Sequence, residues 1–186
     1  MEWFIRHGRL VAVVAFAALL LAGLKLSGLT ENFSLEALRQ VILANRISGL
    51  LLFVLLFSLG NLIQVPGWLF LAAAVLALGR GLGGGVTYVA ACVSCMATFL
   101  SIRLVGGDAL RQFDNRIAVG LLRRLDDRPV ACMVLLRVLF QTAPALNYAL
   151  AMSGIRFRNY MVGTLLGLPL PIMLYCLFFD YLGRVL

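Results

Sequence analysis

The sequence predicts an all-α polytopic membrane protein: an inverted repeat of an amphipathic helix, a re-entrant hairpin and a transmembrane helix. Composition is the first observation. Of the 186 residues, 62% are hydrophobic and only 13% are charged, whereas soluble domains have about 25% charged residues. The second is that proline breaks two apolar stretches, at Pro66 and at Pro144. A chain this apolar lacks the polar surface that a globule in water needs, so we expect an integral membrane protein with one membrane domain.

The third observation is that the segments after the two breaks have matching layouts. Each break is followed by an apolar helix candidate that ends with a charge three residues before a glycine: Arg103 before Gly106, and Asp180 before Gly183. The distance from proline to glycine is 40 residues in the first half and 39 in the second. In membrane transporters, broken helices at matching positions in two halves point to the binding site.

We divide the chain into three parts: an anchor helix at residues 1–29, a first repeat at 34–104 and a second repeat at 107–183. The run Leu10–Leu29 is long enough to cross a hydrocarbon core of about 30 Å, since a helix rises about 1.5 Å per residue. Arg6 and Arg9 precede this run, a pattern that secretory signal peptides share. We interpret the segment as a retained membrane anchor.

The first repeat begins with Ser34–Arg46, which is too polar to span and is amphipathic, so we expect a helix lying at the interface. The next segment, Ile47–Leu78, is too long for one crossing and too short for two. Its second arm, Trp68–Leu78, would rise only about 16 Å. We therefore predict a re-entrant hairpin whose turn is set by Pro66 and Gly67. Such a turn needs protein or water around it, because lipid cannot satisfy free backbone groups.

A glycine-rich segment separates this hairpin from a crossing helix. We predict a tight loop at Gly79–Gly85 and a transmembrane helix at Val86–Leu104. The helix carries a packing surface of small residues: Thr87, Ser94, Cys95, Ala97 and Thr98. Cys92 and Cys95 would share a helix face, as ligands of a soft metal do. No other motif supports a metal site, so we assign them to packing and expect no metal and no cofactor.

The second repeat has the same order of parts. Asp108–Arg128 is amphipathic, Val130–Ile155 is a second hairpin with its turn at Pro144, and Tyr160–Leu182 is a crossing helix. A unit with one crossing ends on the opposite face, so two copies in series are inverted. With the N-terminus inside, nine basic residues fall on inner segments and five on outer ones. The positive-inside rule therefore favours this orientation.

Several motifs resemble a known family. The first half carries VPGWLFLAAAVLALGRGLGGG and FLSIRLVGG; the second carries LLR, P-x-x-NYAL and RFRNYMVGTLLGLPLPIMLY. These are similar to the SNARE-associated Golgi protein family of the DedA/VTT superfamily, from about Leu50 to Gly183. The resemblance implies movement of phospholipids or polyprenyl phosphates between leaflets, hairpins that meet near the midplane, and a place in the bacterial inner (plasma) membrane.

The chain also departs from the family's pattern. Many bacterial DedA proteins carry an acidic residue before the first hairpin's proline, whereas this chain has Gly60 and Asn61 there and no carboxylate up to Pro66. Proton coupling through that acid is therefore not expected. Ala151 also stands where the family's pattern has a glycine.

Polar and charged residues near the breaks and the helix ends are the candidate binding residues: Arg137, Asn147, Asn61, Gln64, Asp180 and Arg103. A charge at membrane depth costs several kcal/mol, from about 2.5 to over 10, so Arg137 needs a partner or a cavity. A guanidinium binds phosphate bidentately. The alternatives for Arg137 are a structural pair with Asp180 or bonds to hairpin carbonyls.

The other candidates also have two interpretations. Asn61, Gln64 and Asn147 either line a polar path or cap the broken helices. Arg103 and Asp180 either bind substrate or anchor the helices at the interface; as equivalent positions of inverted copies, they are expected on opposite faces and not paired with each other.

We therefore expect a membrane lipid transporter, of flippase or scramblase type, whose partners are lipids with anionic or phosphate-bearing headgroups. One alternative is an ion- or solute-coupled carrier that uses Asp180 or Arg137, and another is a non-transporting scaffold. No catalytic set of side chains is visible, so no enzyme is expected. The basic residues lie in short links between apolar runs, which argues against nucleic-acid binding. A homo-oligomer is compatible with the sequence.

Overall fold

The computed structural model describes residues 8, 12–16, 18, 19, 22, 46–108, 110, 116–140 and 143–185. Regular secondary structure in these ranges is helical throughout. The helices are α1 (Arg46–Leu62), α2 (Gly67–Gly106), α3 (Arg116–Asp127), α4 (Pro129–Phe140), α5 (Ala145–Met152), α6 (Phe157–Gly167) and α7 (Pro169–Val185). The all-α prediction is confirmed for the described residues.

Some predicted segments fall outside these ranges. They are most of the anchor helix Leu10–Leu29, all but the last residue of the interfacial helix Ser34–Arg46, and residues 111–115 of the second amphipathic segment. The described residues between 8 and 22 are helical, and Val13 is buried in an apolar cluster that contains residues of both halves.

Two apolar helical segments are long enough to cross a membrane, Gly67–Gly106 and Phe157–Gly183. Large apolar side chains are also exposed along the helices, for example Leu82, Leu104, Leu166 and Tyr181 at 69%, 87%, 63% and 69%. Soluble monomers rarely expose contiguous apolar area on this scale. A surface of this kind is stable when lipid covers it.

The first hairpin consists of α1 and the beginning of α2. The ring centroids of Phe57 and Phe70 lie 5.0 Å apart across it, and a Cβ at Gly60 would lie 2.5 Å from the Phe70 ring. At the turn, the N–H of Val65 donates to the Gly60 carbonyl and that of Gln64 to the Asn61 carbonyl. This pair of bonds is the Schellman pattern that ends many helices.

Helix α2 doubles back at Gly79, which has φ +78° and ψ 166°. In a straight helix the Cα atoms of residues 74 and 83 would be about 13 Å apart. Instead, a Cβ at Gly83 would lie 2.5 Å from the carbonyl oxygen of Ala74. We therefore divide α2 into a short arm, residues 67–78, and a long arm, residues 80–106, which run antiparallel.

The predicted tight loop at Gly79–Gly85 is wrong in extent, because the chain is helical from residue 80 onward. Each of these glycines costs up to about 1 kcal/mol of helix propensity relative to alanine. Close packing offsets that cost: Gly83 touches the short arm, and a Cβ at Gly84 would lie 2.8 Å from Sγ of Cys176. Only Gly79 adopts the left-handed conformation that a reversal requires.

The second half also contains a helical hairpin. Helices α4 and α5 form a hairpin, and Gly154, with φ +82°, then precedes α6. Helices α4 and α6 run parallel, since Met133 approaches Gly163 and Arg137 approaches Gly167. The long arm of α2 runs antiparallel to α7, because Arg80 lies beside Asp180 and Gly84 beside Cys176.

The predicted crossing helix Tyr160–Leu182 is observed as α6 and α7, joined through a bend at Leu168. Pro169 has no N–H, so the carbonyl of Leu165 loses its normal helical donor. The hydroxyl of Tyr88, on the long arm of α2, donates to that carbonyl at 3.0 Å. In lipid a freed carbonyl needs such a partner, since water is absent.

Two apolar clusters form the interior of the described part. One lies among α1, α2 and α7 and includes Phe53, Leu71 and Ile172. The other lies among the end of α2, α4, α5 and α6 and includes Phe99, Met133 and Tyr160. Along α2 the boundary between the two clusters falls between Cys92 and Cys95, and buried polar side chains meet at that level.

Candidate functional site

Arg137 on α4 lies at the centre of these polar groups and is only 2% exposed. Its Nη1 donates to Oδ1 of Asn147 at 2.6 Å, and its Nη2 donates to Oη of Tyr160 at 2.8 Å. Nη2 and Nε both donate to Oγ1 of Thr164, at 3.2 and 3.3 Å. The guanidinium carbon also lies 5.2 Å from the Tyr160 ring centroid, within the range of a cation–π contact.

All of these acceptors are neutral. No carboxylate in the described part of the chain forms an ion pair with Arg137; the ion pairs found there join Arg80 to Asp180 and Arg103 to Asp108. The alternative that Arg137 pairs with Asp180 is therefore wrong, and its hydrogen bonds within the described ranges go to side chains and not to hairpin carbonyls. Arginine stays protonated in proteins, so a positive charge is buried here with neutral partners alone.

The network continues from Arg137 into the first half of the chain. Nδ2 of Asn147 donates to Oδ1 of Asn61 at 2.9 Å. Nδ2 of Asn61 in turn donates to Oγ of Ser94 at 2.9 Å and to Oγ1 of Thr98 at 3.2 Å. The site thus joins α4, α5 and α6 to the end of α1 and to the long arm of α2.

Tyr160 links the network to the backbone of α2. Its hydroxyl accepts from Arg137 and lies 3.1 Å from the carbonyl oxygen of Cys95 and 3.2 Å from Oδ1 of Asn147. Sγ of Cys95 is 3.6 Å from the same Asn147 oxygen. Cys95, which the sequence assigned to packing alone, therefore also borders the polar site.

Gly163 and Gly167 position the arginine. They have the small-x-x-x-small spacing that lets membrane helices approach closely, and they face Met133 and Arg137 on α4. A Cβ at Gly167 would lie 2.6 Å from Cβ of Arg137. The stem of Arg137 is thus pressed against the bare backbone of α6, which holds the guanidinium beside Tyr160 and Thr164.

A cavity of about 30 Å³ adjoins the network. Arg137, Asn61, Asn147 and Thr87 line it, together with the first two residues of α2, Gly67 and Trp68. This volume is enough for about one water-sized particle. The hydroxyl of Thr87 is buried and has no hydrogen-bond partner in the structure.

The family model of the VTT domain matches residues 65–181, which is more than half of the chain. The chain belongs to the VTT-domain family. This confirms the resemblance predicted from the sequence motifs, and together with the two long apolar helices it identifies an integral membrane protein. No curated protein and no solved structure matches the chain.

The matched range places most of the network inside the VTT domain. Arg137, Asn147, Tyr160 and Thr164 all lie within residues 65–181. Asn61 precedes the matched range, although its side chain is bonded to Asn147. The polar site therefore uses α1 as well as the VTT domain itself.

The remaining predicted site residues lie away from this centre. Gln64 is at the tip of the first hairpin, where it has φ +66°, and its Nε2 is buried without a hydrogen-bond partner. Arg103 donates to the carbonyl of Ala151 at 2.7 Å and pairs with Asp108 at 2.8 Å. Asp180 lies 3.9 Å from Arg80.

Arg103 and Asp180 are at opposite ends of the long arm of α2. The long arm rises about 35 Å between Arg80, the partner of Asp180, and Arg103. Arg103 and Asp180 do not pair with each other, as the equivalence of their positions predicts. Of the predicted turn residues, Pro66 precedes α2 and Pro144 precedes α5, while Gly67 begins α2 and borders the cavity.

Sequence reasoning did not assign four of the network's side chains to the site: Tyr160, Thr164, Ser94 and Thr98. Tyr160 and Thr164 are four residues apart, as are Ser94 and Thr98, so the members of each pair share a helix face. Polar residues at this spacing, on helices that must otherwise be apolar, are the signal that would have identified them.

Proposed function

We propose that this VTT-domain protein moves lipids with anionic or phosphate-bearing headgroups between leaflets, as a flippase or scramblase and not as an enzyme, in the bacterial inner membrane. The observation that carries the proposal is the buried Arg137, whose partners are all neutral, at the junction of two helical hairpins. A cation without a counter-charge in an apolar interior favours an anionic ligand. The arginine fork matches the geometry of a phosphate.

The hairpins support a route for a headgroup. Helices α4 and α5 have 12 and 8 residues, or about 18 and 12 Å, and neither reaches across a core of about 30 Å. We infer that both hairpins are re-entrant and that the two halves form an inverted repeat. The antiparallel course of the long arm and α7 supports the inversion. Two half-depth hairpins leave a thin polar seam while lipid tails stay in the bilayer.

In this conformation the polar route between the two hairpins is closed. Arg137 is buried, and the adjoining cavity is far smaller than a phosphate-bearing headgroup. Entry of a headgroup therefore requires the hairpin tips to separate, and the hydrogen bonds that join them include Asn147 to Asn61 and the hydroxyl of Tyr148 to the carbonyl of Leu62. Breaking these bonds would widen the cavity beside Arg137.

Reconstitution of the purified protein into phosphatidylcholine vesicles tests the proposal. A fluorescent phosphatidate in the inner leaflet should become accessible to an external quencher, while a trapped solute should stay inside. Solute release without lipid movement would favour the coupled carrier. The absence of both, with a folded protein, would favour the scaffold.

Two substitutions test the role of Arg137 in the same assay. Arg137→Lys keeps the charge but loses the fork, so it should retain partial transport; Arg137→Gln loses both and should abolish it. Arg158→Gln removes an exposed charge from α6 and serves as the matched control. Melting curves on the same samples separate recognition from folding. Normal transport by a folded Arg137→Gln protein would remove Arg137 from the mechanism.

A further inference from the structure

The cavity beside Arg137 contains two polar groups that the protein leaves unsatisfied. The first is the hydroxyl of Thr87, which is 1% exposed and has no hydrogen-bond partner. The second is on the guanidinium. Arginine has five N–H groups, and the structure gives Arg137 four hydrogen bonds, of which only one comes from Nη1. Since Nη1 carries two hydrogens, one of them has no acceptor among the residues that the structure describes.

The electrostatics of the cavity favour negative charge. Removing a cation from water costs several kcal/mol unless an opposite charge compensates, and the network supplies none. Gly67 and Trp68, the first residues of α2, also border the cavity. The first N–H groups of a helix have no intrahelical acceptor and carry partial positive charge. A cation, a helix N-terminus and an unpaired hydroxyl thus meet at one small cavity.

The size of the cavity limits the ligand. A cavity of about 30 Å³ exceeds the roughly 10–15 Å³ that a water molecule needs, and a halide ion is only slightly larger than a water molecule. A phosphate group, with four oxygens around phosphorus, is too large. A water molecule would satisfy the hydroxyl of Thr87 but would leave the charge of Arg137 without compensation.

We propose that a small monovalent anion of halide size occupies this cavity in the closed conformation, where it neutralises Arg137 and accepts a hydrogen bond from Thr87. The site uses the same arginine as the proposed lipid transport. It does not depend on lipid movement, however, since the anion is bound when no headgroup is present. The two proposals can therefore fail separately.

The test is a melting curve of the protein in a non-ionic detergent without lipid. Sodium gluconate is replaced stepwise by sodium chloride or sodium bromide at constant sodium. Ligand binding to the folded state raises the melting temperature with a saturating concentration dependence, so we expect a rise of a few degrees that levels off. General salt effects on stability do not saturate over the same range.

Variants locate the effect. Thr87→Val removes the hydroxyl and should raise, by at least about tenfold, the halide concentration that gives half of the rise in melting temperature. Thr87→Ser should retain the response. Ser58→Ala is the control, because the hydroxyl of Ser58 bonds within its own helix, to the carbonyl of Val54. An unchanged response in Thr87→Val would overturn the site.

A direct measurement on the unaltered protein covers the case in which Thr87→Val does not fold. Bound chloride broadens the chloride-35 NMR line, and bromide should reverse the broadening by competition. The absence of both the broadening and the saturating rise would mean that the cavity holds water. Lipid movement in halide-free vesicles would still be measurable in that case, so the transport proposal would be unaffected.

Discussion

Nδ2 of Asn147 lies 2.9 Å from Oδ1 of Asn61, and this bond joins the tips of two hairpins that are 86 residues apart in sequence. The orientation of both amides follows from their other partners. Oδ1 of Asn147 accepts from Arg137, and Nδ2 of Asn61 donates to Ser94 and Thr98. Donors therefore point in one direction, away from the guanidinium, so each bond polarises the next.

The first prediction concerns this bond. Asn61→Ala and Asn147→Ala should each destabilise the protein, and the double variant should lose less than the sum. Hydrogen bonds between membrane helices average about 0.6 kcal/mol and reach about 1.7 kcal/mol in double-mutant cycles, and we expect a coupling in this range. Unfolding in mixed micelles measures it. Asn61→Ala combined with Asn159→Ala, whose side chain lies outside the network, should be additive.

The second prediction concerns the tip of the first hairpin. Gln64 has φ +66° at the position of the Schellman motif that glycine normally occupies. Gln64→Gly should raise the free energy of unfolding by about 1 kcal/mol, because glycine adopts this conformation without the penalty of a side chain. Gln64→Ala keeps the strained backbone but removes the amide whose Nε2 lacks a hydrogen-bond partner. Equal gains from both variants would show that the buried amide, and not the backbone, carries the cost.

The third prediction concerns the contact between α4 and α6. Gly167→Ala would place a methyl group 2.6 Å from Cβ of Arg137 and should destabilise the protein by about 1–3 kcal/mol. Gly85→Ala is the matched control, since a Cβ there meets nothing within 4 Å. It should stabilise the helix by up to about 1 kcal/mol. Similar effects of the two variants would contradict the close packing.

The fourth prediction concerns the break before Pro169. Tyr88→Phe should lower the free energy of unfolding by about 0.6–1.7 kcal/mol, because the carbonyl of Leu165 loses its donor. Thermal and denaturant unfolding both report the change. Tyr181→Phe removes a hydroxyl from an exposed ring and should be neutral. If both variants were neutral, the Tyr88 hydroxyl would have no structural role.

The fifth prediction concerns topology. In a variant lacking the four cysteines, single cysteines at Asn61 and Trp68 should be shielded from impermeant reagents on both faces of the membrane. Reporter fusions should place Arg123 in the cytoplasm and Leu186 outside. Free labelling of position 61 from the face opposite Gly79 would show that the first hairpin spans. A cytoplasmic Leu186 would contradict three crossings.

The sequence predicted the helical class and the places of the breaks because proline removes a backbone donor wherever it occurs. It also predicted Arg137, Asn61 and Asn147 as site residues, since polar groups inside apolar runs are costly. It did not predict that the two asparagines bond to each other. That contact depends on how the halves pack, which local spacing does not encode.

The glycine-rich segment after Gly79 was mispredicted for a related reason. Glycine favours loops when only local propensity is considered, so GRGLGGG was interpreted as a tight loop. Gly83 and Gly84 are instead helical because tertiary contacts need their bare backbones. Similarly, Ser94 and Thr98 were assigned to packing, because a small residue that packs and one that accepts a hydrogen bond have the same sequence signature.

The close contact of Gly163 and Gly167 with α4 has a consequence for energetics. Helices α4 and α6 are packed too closely to slide past each other, so the opening that the proposed transport requires would occur between the halves. In a bilayer, the apolar faces that part meet lipid tails as apolar as themselves, so separating them incurs little hydrophobic penalty. The resistance to parting then comes from packing contacts and from a few polar bonds, each about as large as thermal energy. Under the proposed lipid transport, such a joint would open spontaneously and in either direction, without a chemical fuel.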